Sequence, residues 1–224
     1  VKPKDVVVVG QPAFDRALSF APKKTEIRLN TRVNEGLTGK TVFLWWSTGM
    51  PEIIVEDIFM ASTSIGVASG YENPVFIAQI HPKLNGVKER YVDRIFSMLE
   101  VVGELNGVKV QRSLASGEES CLAADVIFSI TCTEDVKNVL IGGPPVVHFA
   151  GPVTRKWFER DLCLSPPYYL PDVITGQSFI AYNVAELPGV IRSALLPMYQ
   201  RVQSTVEVPA ESAAKRMADE IEKL

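Results

Sequence analysis

The sequence predicts an α/β domain, an open parallel sheet of about six strands with helices on both faces. Short apolar runs recur along the chain. Each leads through a turn signal into a longer stretch with helical spacing, the alternation that produces βαβ units. The runs are rich in Val, Ile and Phe and do not alternate with polar residues, so they belong to strands buried on both sides. With 224 residues, 46% of them hydrophobic, the chain can bury one full-sized core, and a single domain over residues 1–224 is expected.

Strands are expected at Val6–Gly10, Thr41–Trp46, Pro74–Ile80, Val108–Gln111, Asp125–Ser129 and Pro145–Phe149. Pro51–Ser69 places Ile54, Ile58, Ala61 and Ile65 on one helical face and carries Pro51 in its first turn, where a missing N–H is tolerated. Val87–Val102 likewise aligns Tyr91, Ile95, Met98, Leu99 and Val102. Both read as crossover helices. Shorter helices are expected at Gly117–Ala123, Glu134–Ile141, Thr154–Arg160, Glu186–Gln203 and Ala210–Leu224, with Pro197 kinking or interrupting the fourth. Residues 22–40 are rich in Lys, Thr, Asn and Gly and lack an apolar period, so they read as an exposed connection and the best candidate for disorder. Residues 185–224 supply the terminal helices.

Composition removes several function classes. The 23 basic and 26 acidic residues are mixed along the chain for a net charge of -3, with no basic stripe of the kind that neutralises a phosphate backbone, so nucleic acid is not expected as a partner. Cys121, Cys132 and Cys163 show no CxxC spacing, and His81 and His148 have no partner at metal spacing, so neither a disulfide framework nor a metal site is indicated. A reducing, cytoplasmic setting fits. No apolar run reaches the roughly 18 residues that span a bilayer. The start at Val1 reads as that of a fragment or a processed product. The GxGxxG, GxxxxGK[ST], GxSxG and HExxH fingerprints are absent from the sequence, and no cofactor is indicated.

In an open α/β sheet, ligands bind outside the carboxyl ends of the strands, where N–H groups at helix starts attract anions. The loop Ser47-Thr48-Gly49 before Pro51-Glu52 offers two hydroxyls and an unhindered glycine backbone, which suits a phosphate or equally an ordinary helix cap. Thr131-Cys132-Thr133 followed by Glu134-Asp135 has the same two readings, and its acids weaken anion binding nearby. His148, at the end of a strand, either donates to a phosphate or sugar hydroxyl or satisfies a buried carbonyl.

Four motifs occur in order. Val6–Val9 leads into Gly10-Gln11-Pro12-Ala13-Phe14-Asp15, a G-x-P-x-x-D pattern. A second strand ends in Ser47-Thr48-Gly49 ahead of Glu52, and a third in Ile80-His81-Pro82. Ala124-Asp125-Val126-Ile127-Phe128 then runs through Thr131–Thr133 to Gly142-Gly143-Pro144-Pro145-Val146-Val147. This set, spanning residues 6 to 150, resembles the carboxy-terminal, Rossmann-like half of GT-B glycosyltransferase-type proteins. Lipid-A-disaccharide synthase, non-hydrolysing UDP-N-acetylglucosamine 2-epimerase and CDP-glycerol glycerophosphotransferase are examples. The resemblance implies a site for the nucleoside diphosphate of a UDP- or CDP-linked sugar or polyol. In it, Ser47, Thr48, Gly49, Thr131, Cys132 and Thr133 receive the phosphates, the base lies against Val110–Leu114, and His148 and Gly151 border the crevice.

Two departures from that pattern matter. The carboxylate that usually holds the ribose is replaced by Lys137, which reads either as a phosphate contact in a rearranged site or as a solvated lysine, while Glu134 lies one turn earlier. Nothing resembles the amino-terminal acceptor domain, so this chain alone is not expected to catalyse transfer. The isolated half is expected to expose apolar surface that promotes association, a homo-oligomer included. The rival readings are a non-catalytic binding or assembly module with a degenerate half-fold and, more weakly, an unrelated flavodoxin-like ligand-binding domain.

Overall fold

The computed structural model describes residues 12–81, 89–166, 178–196 and 211–222. Six strands, β1 (Thr41–Trp46), β2 (Pro74–Gln79), β3 (Lys109–Arg112), β4 (Val126–Phe128), β5 (Val146–Phe149) and β6 (Ser178–Ala181), form one sheet in the order β3-β2-β1-β4-β5-β6. Every pairing in it is parallel. The helices are α1 (Asp15–Phe20), α2 (Lys24–Asn34), α3 (Ile54–Ala68), α4 (Glu89–Asn106), α5 (Gly117–Ala123), α6 (Thr133–Ile141), α7 (Pro152–Asp161), α8 (Leu187–Ala194) and α9 (Ala213–Ile221). This is an α/β Rossmann-like fold.

The two-residue period of the strands divides the core into two layers. Phe43 and Trp45 of β1, Phe76 of β2, Phe128 of β4 and Phe149 of β5 pack with Ile54, Met60 and Ile65 of α3, Leu99 of α4, Phe158 of α7 and Ile191 of α8. Their neighbours Val42, Leu44, Trp46, Val75, Ile77, Ile127 and Val146 point the other way, onto Ala17 of α1, Leu122 of α5 and Ile141 of α6. The Phe128 ring lies 6.2 Å from both Phe43 and Phe76, so aromatic packing ties β1, β2 and β4 together on one face.

Five of the expected strands and the expected helices are present, Thr41–Trp46 and Gly117–Ala123 with the expected bounds and the others with shifted ends. Pro51 lies in the turn before α3 and not inside it. α4 runs one turn past Val102 to Asn106, and Gly107, at φ +66, ends it in the left-handed region that glycine tolerates. The expected strand at Val6–Gly10 and the expected kink at Pro197 lie outside the described residues. β6 has no counterpart in the sequence reading.

Residues 22–40 require a correction, because most of them form α2. Its attachment is polar, which is why it has no apolar period. Arg28 and Arg32, one turn apart, reach the carboxyl end of α5: Arg28 donates to the Leu122 carbonyl at 2.6 Å and Arg32 to the Ala123 carbonyl at 2.8 Å. Both also pair with Asp125, at 2.5 and 2.6 Å. Cations at a helix carboxyl end complement its exposed carbonyls and dipole. Burial holds Arg28 below its ordinary value, against the pull of Asp125.

Candidate functional site

The strand order reverses between β1 and β4, which are hydrogen-bonded neighbours. β1 passes the chain to α3 on one face and β4 passes it to α6 on the other, so the two outgoing loops diverge and leave a crevice at the switch point. Ser47, Thr48 and Gly49 on one side and Thr131, Cys132 and Thr133 on the other are the loops in question.

On the β1 side both hydroxyl residues are buried and engaged. Ser47 extends the β1–β2 pairing by donating its N–H to Gln79 at 3.0 Å, and its Oγ accepts from the His81 N–H at 2.7 Å. Thr48 Oγ1 accepts from the Met50 N–H at 3.2 Å. A Cβ on Gly49 would come within 2.9 Å of the His81 ring, so glycine is what lets the histidine lie against the loop.

Beneath this loop sits Asp57, one turn into α3, which sequence reasoning missed. One carboxylate oxygen accepts from the Trp45 indole at 2.8 Å and the other from the Thr48 N–H at 2.5 Å. Complete burial pushes its pKa up to about 7, opposed by those two hydrogen bonds and assisted by the charge of Asp135.

On the β4 side Cys132 caps α6 in extended backbone, and Asp135 closes the reciprocal half of the box. Asp135 accepts from the Cys132 N–H at 2.7 Å and from Ser129 Oγ at 2.9 Å. The cap reading of this loop therefore holds for Asp135. Burial pushes the Cys132 thiol well up, which disfavours a nucleophilic thiolate.

Lys137, which stands where the resemblance expects a carboxylate, is held in an ion cluster. Lys137 Nζ lies 2.7 Å from Glu134 and 3.4 Å from Glu118 of α5. Burial lowers the Lys137 pKa, but the Glu134 hydrogen bond and the charges of Glu134 and Glu118 outweigh it and hold the ammonium above its ordinary value. Glu134 also rests against Gly117, where a Cβ would meet its carboxylate at 2.9 Å.

His148 is buried, and its Nδ1 lies 2.9 Å from the Ser129 carbonyl and 3.2 Å from that of Ile130. With two carbonyls in reach, this nitrogen is the protonated one, and the ring fixes the end of β4. Gly151 caps α7, but the Glu56 carboxylate fills that helix start, accepting from Val153 at 2.9 Å and Thr154 at 2.8 Å. A Cβ on Gly151 would meet Glu56 at 2.6 Å.

Two cavities lie outside the two loops. The segment expected to hold a base borders one of about 450 Å³, lined by Gln111, Arg112, Leu114 and Ala115 with Glu35 and Glu119. Another, about 580 Å³, lies among Glu52, Val153, Trp157 and Arg160. Among the described residues no group of His, Cys, Asp and Glu is arranged to hold a metal, and no helix is long and apolar enough to cross a membrane.

A parallel 3-2-1-4-5-6 sheet with its crevice at the switch point defines a Rossmann-like domain. No protein-family profile matches the chain, and no curated protein sequence matches it. Solved structures do share its fold. UDP-GlcNAc 2-epimerase from Methanocaldococcus jannaschii, in complex with UDP-GlcNAc and UDP, matches all of this chain with 56% of its own length, at TM-score 0.61 and 10% identity. The wall teichoic acid polymerase TagF matches all of it with 53% of its length, at 0.53 and 15%. Anabaena HepE in complex with UDP-glucose matches 89% of it with 53% of its length, at 0.50 and 14%. The chain therefore has the GT-B-type half-fold that its motifs resemble, and it spans about half the length of these structures.

Proposed function

We propose that this chain is the donor-binding half of a GT-B-type glycosyltransferase or sugar-nucleotide epimerase, taking the nucleoside diphosphate of a UDP- or CDP-linked donor at the β1/β4 switch point. One observation carries the reading: among the described residues no protein acceptor takes the N–H of Gly49, Thr131 or Thr133, which lie on the two loops leaving adjacent strands. Asp57 and Asp135 hold those loops from below through other N–H groups, so the loops are preorganised. N–H groups fixed at a helix start suit a diphosphate and stabilise the negative charge that develops as it departs. The base belongs in the cavity beside Gln111–Ala115, and Glu134 or Glu118, the two carboxylates paired with Lys137 at the expected ribose position, would take over the ribose hydroxyls. The acceptor and the catalytic base come from another domain.

A second reading, a non-catalytic binding or assembly module, is favoured by the clamp on Lys137 and by Glu56 filling the start of α7. Calorimetric titration of the chain with UDP, CDP, GDP and dTDP separates the two, repeated with Thr133→Pro. Thr133 is the first residue of α6 and Cys132 before it is already extended, so proline fits there and removes the N–H together with the hydroxyl, and Thr133→Ala, which removes the hydroxyl alone, is its control. The donor reading expects one nucleotide to bind and Thr133→Pro to bind it about tenfold more weakly than Thr133→Ala, the loss of one charge-assisted hydrogen bond. No heat from folded protein with any of the four would overturn it in favour of the module.

A further inference from the structure

Asp57 of α3 and Asp135 of α6 stand behind the two loops of the proposed diphosphate site, and both are buried. Asp57 accepts from the Thr48 N–H at 2.5 Å and Asp135 from the Cys132 N–H at 2.7 Å. In each loop the following N–H, that of Gly49 or Thr133, is one that the donor reading gives to the ligand. These amides are thus backed by negative charge, and the charge of Asp135 also acts on Asp57. A site that attracts anions gains from cations and amide dipoles and loses by acids, so the two acids need a reason beyond attraction.

Two neutral groups, the Trp45 indole and the Thr48 N–H, hold the Asp57 carboxylate, and among the described residues no cation is paired with it. The other titratable groups around it are engaged elsewhere. Glu56, beside it on α3, caps α7, and Lys137 of α6 is clamped by Glu134 and Glu118. The His81 ring lies against Gly49, the His148 Nδ1 faces two carbonyls, and burial keeps the Cys132 thiol protonated. On the helices packed against α3, Asp93, Arg94, Glu100 and Glu104 of α4 and Arg192 of α8 are all exposed. So enclosed, Asp57 exchanges its proton at about pH 7. A diphosphate seated on the Gly49 N–H lies about 7 Å from it, two hydrogen bonds and a peptide unit away. At the effective dielectric of a protein interior, one pair of like charges at that distance costs more than a factor of about ten in affinity. Protonation removes the repulsion and leaves the loop in place, because a neutral carboxyl still accepts from Thr48. We infer, on the donor-binding reading, that Asp57 is a positioning residue that takes up a proton as the diphosphate enters the β1 loop, so that donor affinity falls as pH rises.

Calorimetric titration with UDP-glucose and with CDP-glycerol, in buffers of different ionisation enthalpy, tests this. Every phosphate of these two probes is esterified, so neither ligand titrates near neutrality. The probe that binds is expected to carry about 0.4 to 0.5 proton into the complex at pH 7, and to bind about five- to tenfold more weakly at pH 8 than at pH 6. Asp57→Asn is expected to bind it without uptake and equally at the two pH values. His81→Gln, which removes the histidine of the same loop, is expected to keep the full uptake. Wild-type binding without proton uptake would overturn the inference and leave the donor reading standing, and uptake that persists in Asp57→Asn or vanishes in His81→Gln would overturn it by assigning the proton elsewhere. If folded protein binds neither probe at any pH, the donor reading itself falls and this inference falls with it.

Discussion

Asp57 makes a stability prediction that can be worked through. Its carboxylate is wholly enclosed and its pKa rises from 3.8 to about 7. Roughly three pH units at about 1.4 kcal/mol each amount to about 4 kcal/mol of linkage. A folded-state pKa above the unfolded one means that the folded protein holds the proton more tightly. The stabilising contribution is therefore present in full below 3.8 and lost as pH rises through about 7. Asp57→Asn removes the titration. The amide keeps one acceptor but turns its NH₂ toward one of the two donors, Trp45 or Thr48, a fixed loss of about 1–3 kcal/mol at any pH. Urea unfolding of both proteins at pH 5 and pH 8 is the assay. The wild-type advantage over Asp57→Asn should be larger at pH 5 by roughly 3 kcal/mol, the part of the linkage that falls in this window. Indole fluorescence from Trp45 should titrate with the same midpoint. An advantage that is equal at the two pH values would refute the reasoning, because Asp57 would then be ionised throughout.

Three further substitutions probe the loops. Glu56→Ala leaves the Val153 and Thr154 N–H groups without their cap and should destabilise by about 1–2 kcal/mol; Gly151→Ala, whose Cβ collides with that carboxylate, should be more harmful in the wild type than in the Glu56→Ala background, as thermal unfolding of the double mutant will show. Gly143→Ala places a Cβ 1.9 Å from Asn138 Oδ1, which already accepts from Cys121 while Asn138 Nδ2 donates to Pro144; circular dichroism melts should show a loss of about 1–3 kcal/mol.

The sheet was legible because its strands are buried on both sides, and continuous runs such as Thr41–Trp46 and Val126–Phe128 can hardly belong elsewhere. β6 was not, since Ser178–Ala181 is short and its inner positions are only partly buried. α2 escaped because arginines, not an apolar stripe, attach it. At the site, the loops could be located from the rule that ligands gather at strand carboxyl ends. The carboxylates that hold them could not. Asp57 and Glu56 are adjacent in sequence, yet one serves the loop after β1 and the other the start of α7, an assignment made by the rotation of α3 and not by spacing. Asp135 was read only as an acid at the helix start; that its carboxylate holds the Ser129 hydroxyl and the Cys132 N–H is visible only in the fold.

Lys137 shows how structure changes the meaning of a substitution. Against the pattern it replaces a carboxylate, so Lys137→Glu reads from the sequence as restoration of a ribose site. In the fold that glutamate would join Glu134 and Glu118, both within 3.4 Å of the present ammonium, and three carboxylates would share one partly buried place. Repulsion among them would open the α5–α6 contact. Lys137→Met, which keeps the stem and removes the charge, isolates the effect, because it frees Glu134 without adding a third acid. If the cluster serves the ribose through Glu134 or Glu118, calorimetry should show Lys137→Met binding nucleotide at least as well as the wild type, and Lys137→Glu binding less and melting lower. Stronger binding by Lys137→Glu than by Lys137→Met would mean that the position itself, and not its neighbours, contacts the sugar.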